Sequence, residues 1–297
     1  MTAYLRALRL ERWPRSAAII LGSAAFFFLH PDFPASFRPL NIALFLGLSF
    51  LLTWGISTSN YIINEIVDVP YDIHHPGKRD RPLVRGEIRK APFILLGIGI
   101  TAVAFAVAAV FFSRSFVLSL LALLAAGFAY NVKPVRTKDI PFLDAISESA
   151  NNPIRFLIGW YAFAPRHLFP PISLLLAWWS FGNFLMTAKR LSEFRLLRDK
   201  AADYRLSHKR YSRGLLLLGM LASAAVFLAT FLVFVLSLRL YRFLAVFPVL
   251  FLYLFLFFRK TLNEKEVMEE PESLLLNPLI AFLTLVLAGL FALSFFL

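Results

Sequence analysis

Nine apolar stretches, separated by shorter polar ones, run along the chain. A spanning α-helix needs about 20 mainly apolar residues, and most of these stretches are long enough. The pattern predicts an all-α membrane protein with nine transmembrane helices, in which residues 1–297 form a single domain. The predicted spans are 14–29, 40–67, 91–112, 115–132, 141–163, 171–188, 214–238, 241–258 and 275–297. The first is short and follows four arginines, as a signal peptide does, but no small-residue cleavage site follows Leu29, so we expect a membrane helix.

Composition agrees with this pattern. Apolar residues make up 59% of the chain, including 33 Phe, whereas about half is usual for a soluble domain. The chain has no cysteine, which excludes disulfides and thiol chemistry. In a soluble protein the net charge of +13 would suggest that the protein binds nucleic acid. Here the bases lie between apolar spans, so we expect anionic membrane lipids and a phosphate-bearing substrate as partners, and no nucleic acid.

The distribution of Lys and Arg predicts the orientation. If the N-terminus is cytoplasmic, the cytoplasmic segments hold 25 of these bases and the opposite side holds five, while Arg155 lies inside a span. Cytoplasmic loops carry the excess of positive charge. We therefore expect a multi-pass protein of a prokaryotic plasma membrane, with the N-terminus and the active site cytoplasmic and the C-terminus outside.

The end of the second span carries an acidic stripe. Asn64, Asp68 and Asp72 are four residues apart, a spacing that places them along one side of a helix. Their oxygens suit Mg²⁺ that is held partly through a substrate phosphate. Pro70 predicts a kink or an end of the helix, so the position of Asp72 stays open. The alternative is a helix end whose acids meet water or pair with the bases that follow.

Those bases form a loop after the stripe. Lys78, Arg79 and Arg81 are candidates to bind phosphates, Arg through bidentate bonds and Lys as a point charge. Similar donors in the loop before the fifth span are Tyr130, Lys133, Arg136 and Lys138. The alternative is that these bases serve membrane orientation alone, which needs positive charge but no particular position.

The end of the sixth span is a second polar cluster. Lys189 and Arg190 are candidate phosphate ligands, and Glu193 is a candidate second metal ligand or base. Asp199 and Asp203 form a further acid pair four residues apart. Because bases surround this pair, we favour a surface helix with ion pairs there, although a second metal motif stays open.

The fifth span contains charges in an apolar setting. Asp144, Glu148 and Arg155 share one helix face by spacing. A buried charge needs a partner, so a Glu148–Arg155 ion pair is one interpretation. The other is that Arg155 binds the headgroup of a substrate.

The chain resembles the UbiA superfamily of membrane prenyltransferases. The resemblance rests on nine spans, on the Asn-x-x-x-Asp-x-x-x-Asp motif at 64–72, on the basic loop HPGKRDRP and on the segment YNVKPVRTKDIPFLD (130–144). It implies an all-helical bundle around a central cavity that opens laterally to lipid. It also implies Mg²⁺ on Asn64, Asp68 and Asp72. We take Asp68, Asp72 and Glu193 as the candidate catalytic residues. Glu65 stands where many members have a second Asp.

The second motif departs from the prenyl-transferring members, which usually have paired aspartates where this chain has KRLSE. That segment and HPGKRDRP are similar to the decaprenyl-phosphate phosphoribosyltransferases. We expect a Mg²⁺-dependent enzyme that displaces diphosphate and joins a polyprenyl group to an acceptor. Phosphoribosyl transfer to a polyprenyl phosphate is the alternative, and a transporter of an anionic lipid is the second. The oligomeric state stays open.

Overall fold

The computed structural model of the chain describes residues 2–74, 77–197, 201, 205–263 and 277–296, and all regular secondary structure in these ranges is helical. The α-helices are α1 Thr2–Ala7, α2 Ile19–Leu29, α3 Pro39–Asp72, α4 Lys90–Phe111, α5 Arg114–Asn131, α6 Leu143–Ser149, α7 Asn151–Tyr161, α8 Ile172–Leu197, α9 Arg213–Ser237, α10 Phe247–Asn263 and α11 Pro278–Phe296. Short 3₁₀ helices lie at Leu10–Ala18, Pro34–Ser36, Thr137–Asp139, Leu206–Arg210 and Tyr241–Val246.

Within these ranges, five helical stretches are long and apolar enough to cross a bilayer. They are Pro39–Asp72, Lys90–Phe111, Arg114–Asn131, Arg213–Ser237 and Tyr241–Leu262. Each of the nine predicted spans contains α-helix, which confirms the prediction of an all-α, multi-pass membrane protein. The central cavity and the single domain stay predictions.

Two details differ from a pattern of nine plain helices. The α3 helix does not end at Pro70 but continues to Asp72, which is buried. The fifth predicted span consists of two helices, α6 and α7. Short side chains set where some helices begin: Ser113 and Ser212 each accept a hydrogen bond from a backbone N–H three residues later, and so cap α5 and α9.

The chain forms two compact units. The first comprises Met1–Ile140 and Ala150–Pro170, and the second comprises Pro141–Ser149 and Pro171–Leu297. In the first unit, α3 packs against α4 and α5, and α2 packs against α7. Gly22 and Gly159 allow the last pair to approach closely, because a Cβ on Gly159 would lie 2.7 Å from the carbonyl carbon of Ile19.

The second unit has its core between α8 and α9, with α6 packed on α8. Large apolar side chains fill this core: Phe184, Leu216, Met220, Tyr253, Phe257 and Ile280. Outside this apolar core, charged side chains of α6 and α8 come together.

Candidate active site

The stripe of α3 is formed as its spacing predicts. Because α3 is a continuous helix from Pro39 to Asp72, residues 64, 68 and 72 fall within about 80° of one another around its axis. Asn64 and Asp68 are partly buried, and Asp72 is buried. Two carboxylates and an amide therefore lie along one side of the last two turns of the helix.

Asp68 has two cationic partners from the segment that follows α5. The Nζ of Lys138 contacts Asp68 Oδ1, and the guanidinium of Arg136 lies 3.3 Å from the same oxygen. Lys138 is 4% exposed and also reaches Asn131 Oδ1 at 2.8 Å and Asn64 Oδ1 at 3.5 Å. The segment places a buried ammonium among the oxygens of the stripe.

Arg136 is fixed by several contacts. It donates to the backbone carbonyl of Asn131 at 3.2 Å, pairs with Asp139 at 2.8 Å, and stacks over the Tyr71 ring at 4.6 Å from its centroid. Its φ of 24° lies in the left-handed region that side chains rarely adopt. These contacts hold the guanidinium in place beside Asp68.

Asp72 pairs with a base from the loop after α3. Arg81 donates from NH1 to Asp72 Oδ2, and the same nitrogen lies 3.5 Å from Glu65 Oε1. Glu65 is 2% exposed and pairs in turn with Arg9, which lies between α1 and the 3₁₀ helix Leu10–Ala18. Arg9, Glu65, Arg81 and Asp72 form a chain of ion pairs that ends at the stripe.

The donor set of the stripe fits Mg²⁺ that is shared with a substrate. Among the described residues, no three His, Cys, Asp or Glu side chains come together as a metal site. Mg²⁺ usually uses one or two carboxylates together with substrate phosphates and water, rather than a cage made by the protein alone. Asn64, Asp68 and Asp72 supply oxygens of that kind, and Lys138, Arg136 and Arg81 supply cations for the phosphates.

The other basic side chains that the sequence predicts as phosphate ligands in the first unit are more exposed to solvent. Arg79 and Lys133 are exposed, and Lys78 is partly buried. Their role as phosphate ligands stays a prediction.

In the second unit, Arg190 is fully buried and holds three carboxylates. Its Nε donates to Asp144 Oδ2 at 2.9 Å, its NH1 donates to Glu193 Oε2 at 2.9 Å, and its NH2 donates to Glu148 Oε2. Asp144 and Glu148 come from α6, and Glu193 is one turn along α8. The end of α8, which reads as basic in the sequence, is thus surrounded by acids.

Glu193 also meets Arg205 at 3.6 Å and His208 Nε2 at 3.4 Å. Burial lowers the pKa of His208, and its hydrogen bond with Glu193 opposes that change. A neutral His208 therefore donates to the Glu193 carboxylate. Asp199 and Asp203, the candidate second metal pair, lie outside the described residues.

Tyr211 completes this cluster. Its hydroxyl donates to Asp144 Oδ1 and accepts a 2.7 Å hydrogen bond from the backbone N–H of Phe142. Burial and the neighbouring Asp144 carboxylate raise the pKa of the Tyr211 phenol, so it stays a proton donor. Ser207 also donates to Asp144, at 3.0 Å. The cluster ties the segment before α9 to α6.

Lys189 and Arg155 are both buried, each 8% exposed. Arg155 lies on α7 in the first unit, and its NH2 is 3.5 Å from Ser57 Oγ of α3. Glu148, its alternative partner from the sequence, pairs with Arg190 in the second unit.

Spacing alone did not single out Lys138 and Arg136 above the neighbouring bases, although both were visible as donors. They lie in a loop about 70 residues after Asp68 in the chain, and no helical period connects the two. Tyr211 and His208 were not predicted at all. Their position before α9 carries no motif, and only packing brings them to Asp144 and Glu193.

The sequence profile of the UbiA prenyltransferase family matches residues 17–286. The chain belongs to this family. It is 32% identical over 157 residues to lycopene elongase/hydratase from Haloarcula japonica, a match that covers 51% of this chain and 49% of that protein. The matched region thus spans about half the length of this relative.

The fold matches solved structures over nearly the whole chain. A UbiA homologue from Archaeoglobus fulgidus bound to GPP and Mg²⁺ has a TM-score of 0.72 at 21% identity, covering 98% of this chain and 99% of that one. The same homologue bound to DMAPP and Mg²⁺ gives 0.71 at 20% identity, with the same coverage. A digeranylgeranylglyceryl phosphate synthase gives 0.61 at 14% identity, covering 99% and 96%. At these identities the likeness establishes the fold.

Proposed function

We propose that this UbiA family member is a Mg²⁺-dependent membrane enzyme that displaces diphosphate from an isoprenoid diphosphate and joins the prenyl group to an acceptor. The observation that carries the proposal is the meeting of Asp68 and Asp72 with Lys138, Arg136 and Arg81 at the end of α3. The solved homologue bound to GPP and Mg²⁺ supports the choice of donor and metal.

The chemistry divides between acids and bases. When bound, Mg²⁺ on the oxygens of Asn64, Asp68 and Asp72 neutralises charge on the diphosphate. Lys138, Arg136 and Arg81 exchange part of their contact with the carboxylates for contact with phosphate oxygens. The C1–O bond breaks, diphosphate leaves with the electron pair, and the acceptor forms a bond to C1 and loses a proton. Positive charge fixed beside the leaving group stabilises it as its negative charge grows.

The surroundings of α3 suit the rest of the substrate. Its apolar neighbours on α4 and α5 exclude water, which would otherwise react with the allylic cation. The aliphatic tail then lies among apolar side chains or lipid. We propose the cytoplasmic side of a prokaryotic plasma membrane as the location of this site, because the bases of the loop fall on the side that holds the excess of positive charge.

Phosphoribosyl transfer is less well supported. A basic end of α8 would suit the additional phosphate of phosphoribosyl diphosphate. Arg190 is fully buried, and each of its three guanidinium nitrogens is bound to a different carboxylate, of Asp144, Glu148 and Glu193, so it is poorly placed to bind one. Glu193 is a proposed positioning residue for Arg190 and His208. Transport of an anionic lipid remains the second alternative.

The test is release of diphosphate by the purified protein in lipid nanodiscs. With geranyl diphosphate, Mg²⁺ and a membrane lipid extract as the source of acceptor, we expect release that EDTA abolishes and fresh Mg²⁺ restores. Asp68→Asn removes a charge from the stripe and is expected to lower the rate by roughly 100-fold. Asp80→Asn changes an exposed carboxylate in the same unit and serves as the matched control.

Other outcomes select the alternatives. Release from phosphoribosyl diphosphate in the presence of a polyprenyl phosphate, with none from geranyl diphosphate, would establish phosphoribosyl transfer. Movement of a polyprenyl phosphate across the bilayer of proteoliposomes, without any release, would establish transport. Full activity of Asp68→Asn would show that Asp68 is not needed for the reaction and would overturn the assignment of the stripe as the metal site.

A further inference from the structure

The N-terminal segment, residues 2–10, packs against the end of α3 and against the loop between α3 and α4. Apolar side chains from all three parts form one cluster. Its buried members are Ala7, Leu8, Ile62, Leu83, Ile88 and Phe93. The loop that carries Arg81 is therefore packed between α3 and the N-terminal segment.

Two polar contacts hold the same loop to the N-terminal segment. Arg6 pairs with Glu87 at 2.6 Å, and the backbone N–H of Arg89 donates to the Tyr4 hydroxyl at 3.3 Å. The Tyr4 ring also meets the ring of Phe93 edge to face, with the centroids 6.2 Å apart. The position of the loop thus depends on residues that lie far from it in the chain.

Arg9 brings a charged side chain into this packed region. Its φ of 52° lies in the left-handed region, and such a conformation persists only where the surrounding contacts determine it. Arg9 is 8% exposed, and its guanidinium pairs with Glu65 of α3. A buried charge is costly unless it is paired, so this contact ties the N-terminal segment to α3.

Glu65 is shared between two guanidinium groups. Its Oε1 contacts Arg9 and lies 3.5 Å from NH1 of Arg81, and the same NH1 donates to Asp72 Oδ2. Glu65 is 2% exposed, and its other oxygen, Oε2, is buried without a hydrogen-bond partner. Arg81 therefore has one carboxylate in the stripe and a second one behind it.

We propose that Glu65 is a positioning residue of the diphosphate site, which holds Arg81 at the end of the stripe, and that Arg9 anchors Glu65. The inference rests on the proposed function, in which Arg81 binds the diphosphate. A phosphate that draws Arg81 away from Asp72 meets a guanidinium that Glu65 already holds in place, so less side-chain freedom is lost on binding. Arg9 offsets the negative charge of Glu65, which would otherwise repel the phosphate.

The direction of one change separates this role from a simple effect of charge. Glu65→Gln removes a negative charge near an anionic substrate, so electrostatics alone would tighten the binding of the diphosphate. Loss of the carboxylate that holds Arg81 weakens binding instead, because the guanidinium must then be ordered as the substrate binds. We expect the weakening to be the larger effect.

Binding of geranyl diphosphate with Mg²⁺ to the full chain in nanodiscs tests the proposal, with melting temperatures measured alongside. We expect Kd to rise about five-fold in Glu65→Gln and about 10-fold in Arg81→Gln. Because Glu65 acts through Arg81, the double variant is expected to bind about 10-fold more weakly than wild type, whereas independent effects would multiply to about 50-fold. A general loss of stability lowers the melting temperature but does not make the two losses overlap.

Arg9 is tested in the same way. Arg9→Gln is expected to weaken binding about three-fold in the wild-type chain and to cause no further loss in Glu65→Gln, because it acts through Glu65. Arg6→Gln removes the same charge from an exposed position in the same segment, and Glu87→Gln removes the carboxylate that pairs with it. These two variants are the matched controls and bind as wild type does.

A paired variant covers the case in which Glu65→Gln fails to fold. Arg9→Gln combined with Glu65→Gln removes both members of the buried pair and leaves Arg81 paired with Asp72, so no buried charge loses its partner. We expect this variant to bind about five-fold more weakly than wild type, although its net charge is unchanged. Wild-type affinity in the paired variant would contradict the role of Glu65.

Unchanged or tighter binding in folded Glu65→Gln would overturn the proposal. So would losses that multiply in the double variant with Arg81→Gln, or an unchanged affinity in Arg81→Gln itself. A loss in Arg9→Gln that persists in Glu65→Gln would overturn the part assigned to Arg9. As long as wild type binds geranyl diphosphate, these outcomes leave the proposed function standing. Failure of wild type to bind it would refute the proposed function and, with it, the role of Glu65.

Discussion

Two carboxylates on one face of α3 have different cationic partners. Asp68 is held by Lys138 and Arg136 from the segment after α5, whereas Asp72 is held by Arg81 from the loop directly after α3. Each acid is thus neutralised by a base that also suits phosphate. Entry of a diphosphate with its metal can exchange these ion pairs without leaving any buried charge unpaired.

Lys138→Met tests this exchange. The variant removes the ammonium that contacts Asp68 and with it a phosphate donor, so we expect the dissociation constant for geranyl diphosphate with Mg²⁺ to rise about 10-fold. Isothermal titration in nanodiscs measures it. Lys90→Met, at the exposed start of α4, is the control and binds as wild type does. Unchanged affinity in folded Lys138→Met would exclude this lysine from the diphosphate site.

His208 makes the stability of the second unit depend on pH. Its pKa in the folded protein is lowered from 6.5, so the unfolded chain binds more protons between the two values. Above about pH 6.5, His208 therefore does not reduce the stability of the fold. Below this value, stability decreases as the pH falls toward the lowered pKa of His208. The groups that face the ring are Glu193, Arg190 and Arg205; the carboxylate favours protonation, and the two guanidinium groups oppose it.

Thermal unfolding in detergent between about pH 7.5 and about pH 5.5 measures this effect. We expect His208→Gln to flatten the dependence on pH. His167→Gln, at an exposed position in the first unit, leaves the wild-type slope. The same slope in wild type and His208→Gln would show that another group titrates.

At the level of elements, the sequence shows which residues share one face of a helix. It does not show where two helices cross. The spacing of Asn64, Asp68 and Asp72 placed the stripe correctly because the period belongs to α3 itself. The sequence left a kink or an end open at Pro70, and α3 does not end there but continues to Asp72. Close contact of α2 with α7 depends on Gly22 and Gly159, and no pattern within either helix shows it.

Gly159→Ala tests the crossing of α2 and α7. The added Cβ would lie 2.7 Å from the carbonyl carbon of Ile19 and would disturb the hydrogen bond from Ser23 Oγ to the Gly159 carbonyl, now 2.8 Å. We expect the free energy of unfolding to fall by roughly 3 kcal/mol. A lower melting temperature of the purified protein reports this change.

Gly99→Ala is the matched control, because a Cβ there meets nothing within 4 Å. It replaces a helical glycine without a clash and is expected to stabilise by a few tenths of a kcal/mol up to about 1 kcal/mol. Equal melting temperatures for the two variants would show that α2 and α7 can move apart at no cost.

At the level of the whole molecule, composition and span count were enough for an all-helical membrane protein, and the family follows from most of the chain length. The partners of the charged residues could not be derived in this way. Arg190 reads as a phosphate ligand in a basic segment, yet three acids from two helices surround it. Such assignments depend on tertiary contacts, which charge counts along the chain do not show.

The predicted orientation of the chain in the membrane rests on charge counts alone. It can be tested directly, because the protein has no cysteine. Single cysteines at exposed positions then report which loops a membrane-impermeant maleimide reaches in intact cells. In the first unit we compare Arg85→Cys with Arg166→Cys, and in the second unit Lys209→Cys with Arg242→Cys. The excess of Lys and Arg favours a cytoplasmic location for Arg85 and Lys209. We expect labelling of cysteines 166 and 242 in intact cells, and of cysteines 85 and 209 only after permeabilisation. The opposite pattern would place the stripe of α3 on the outer face and would overturn the predicted cytoplasmic active site.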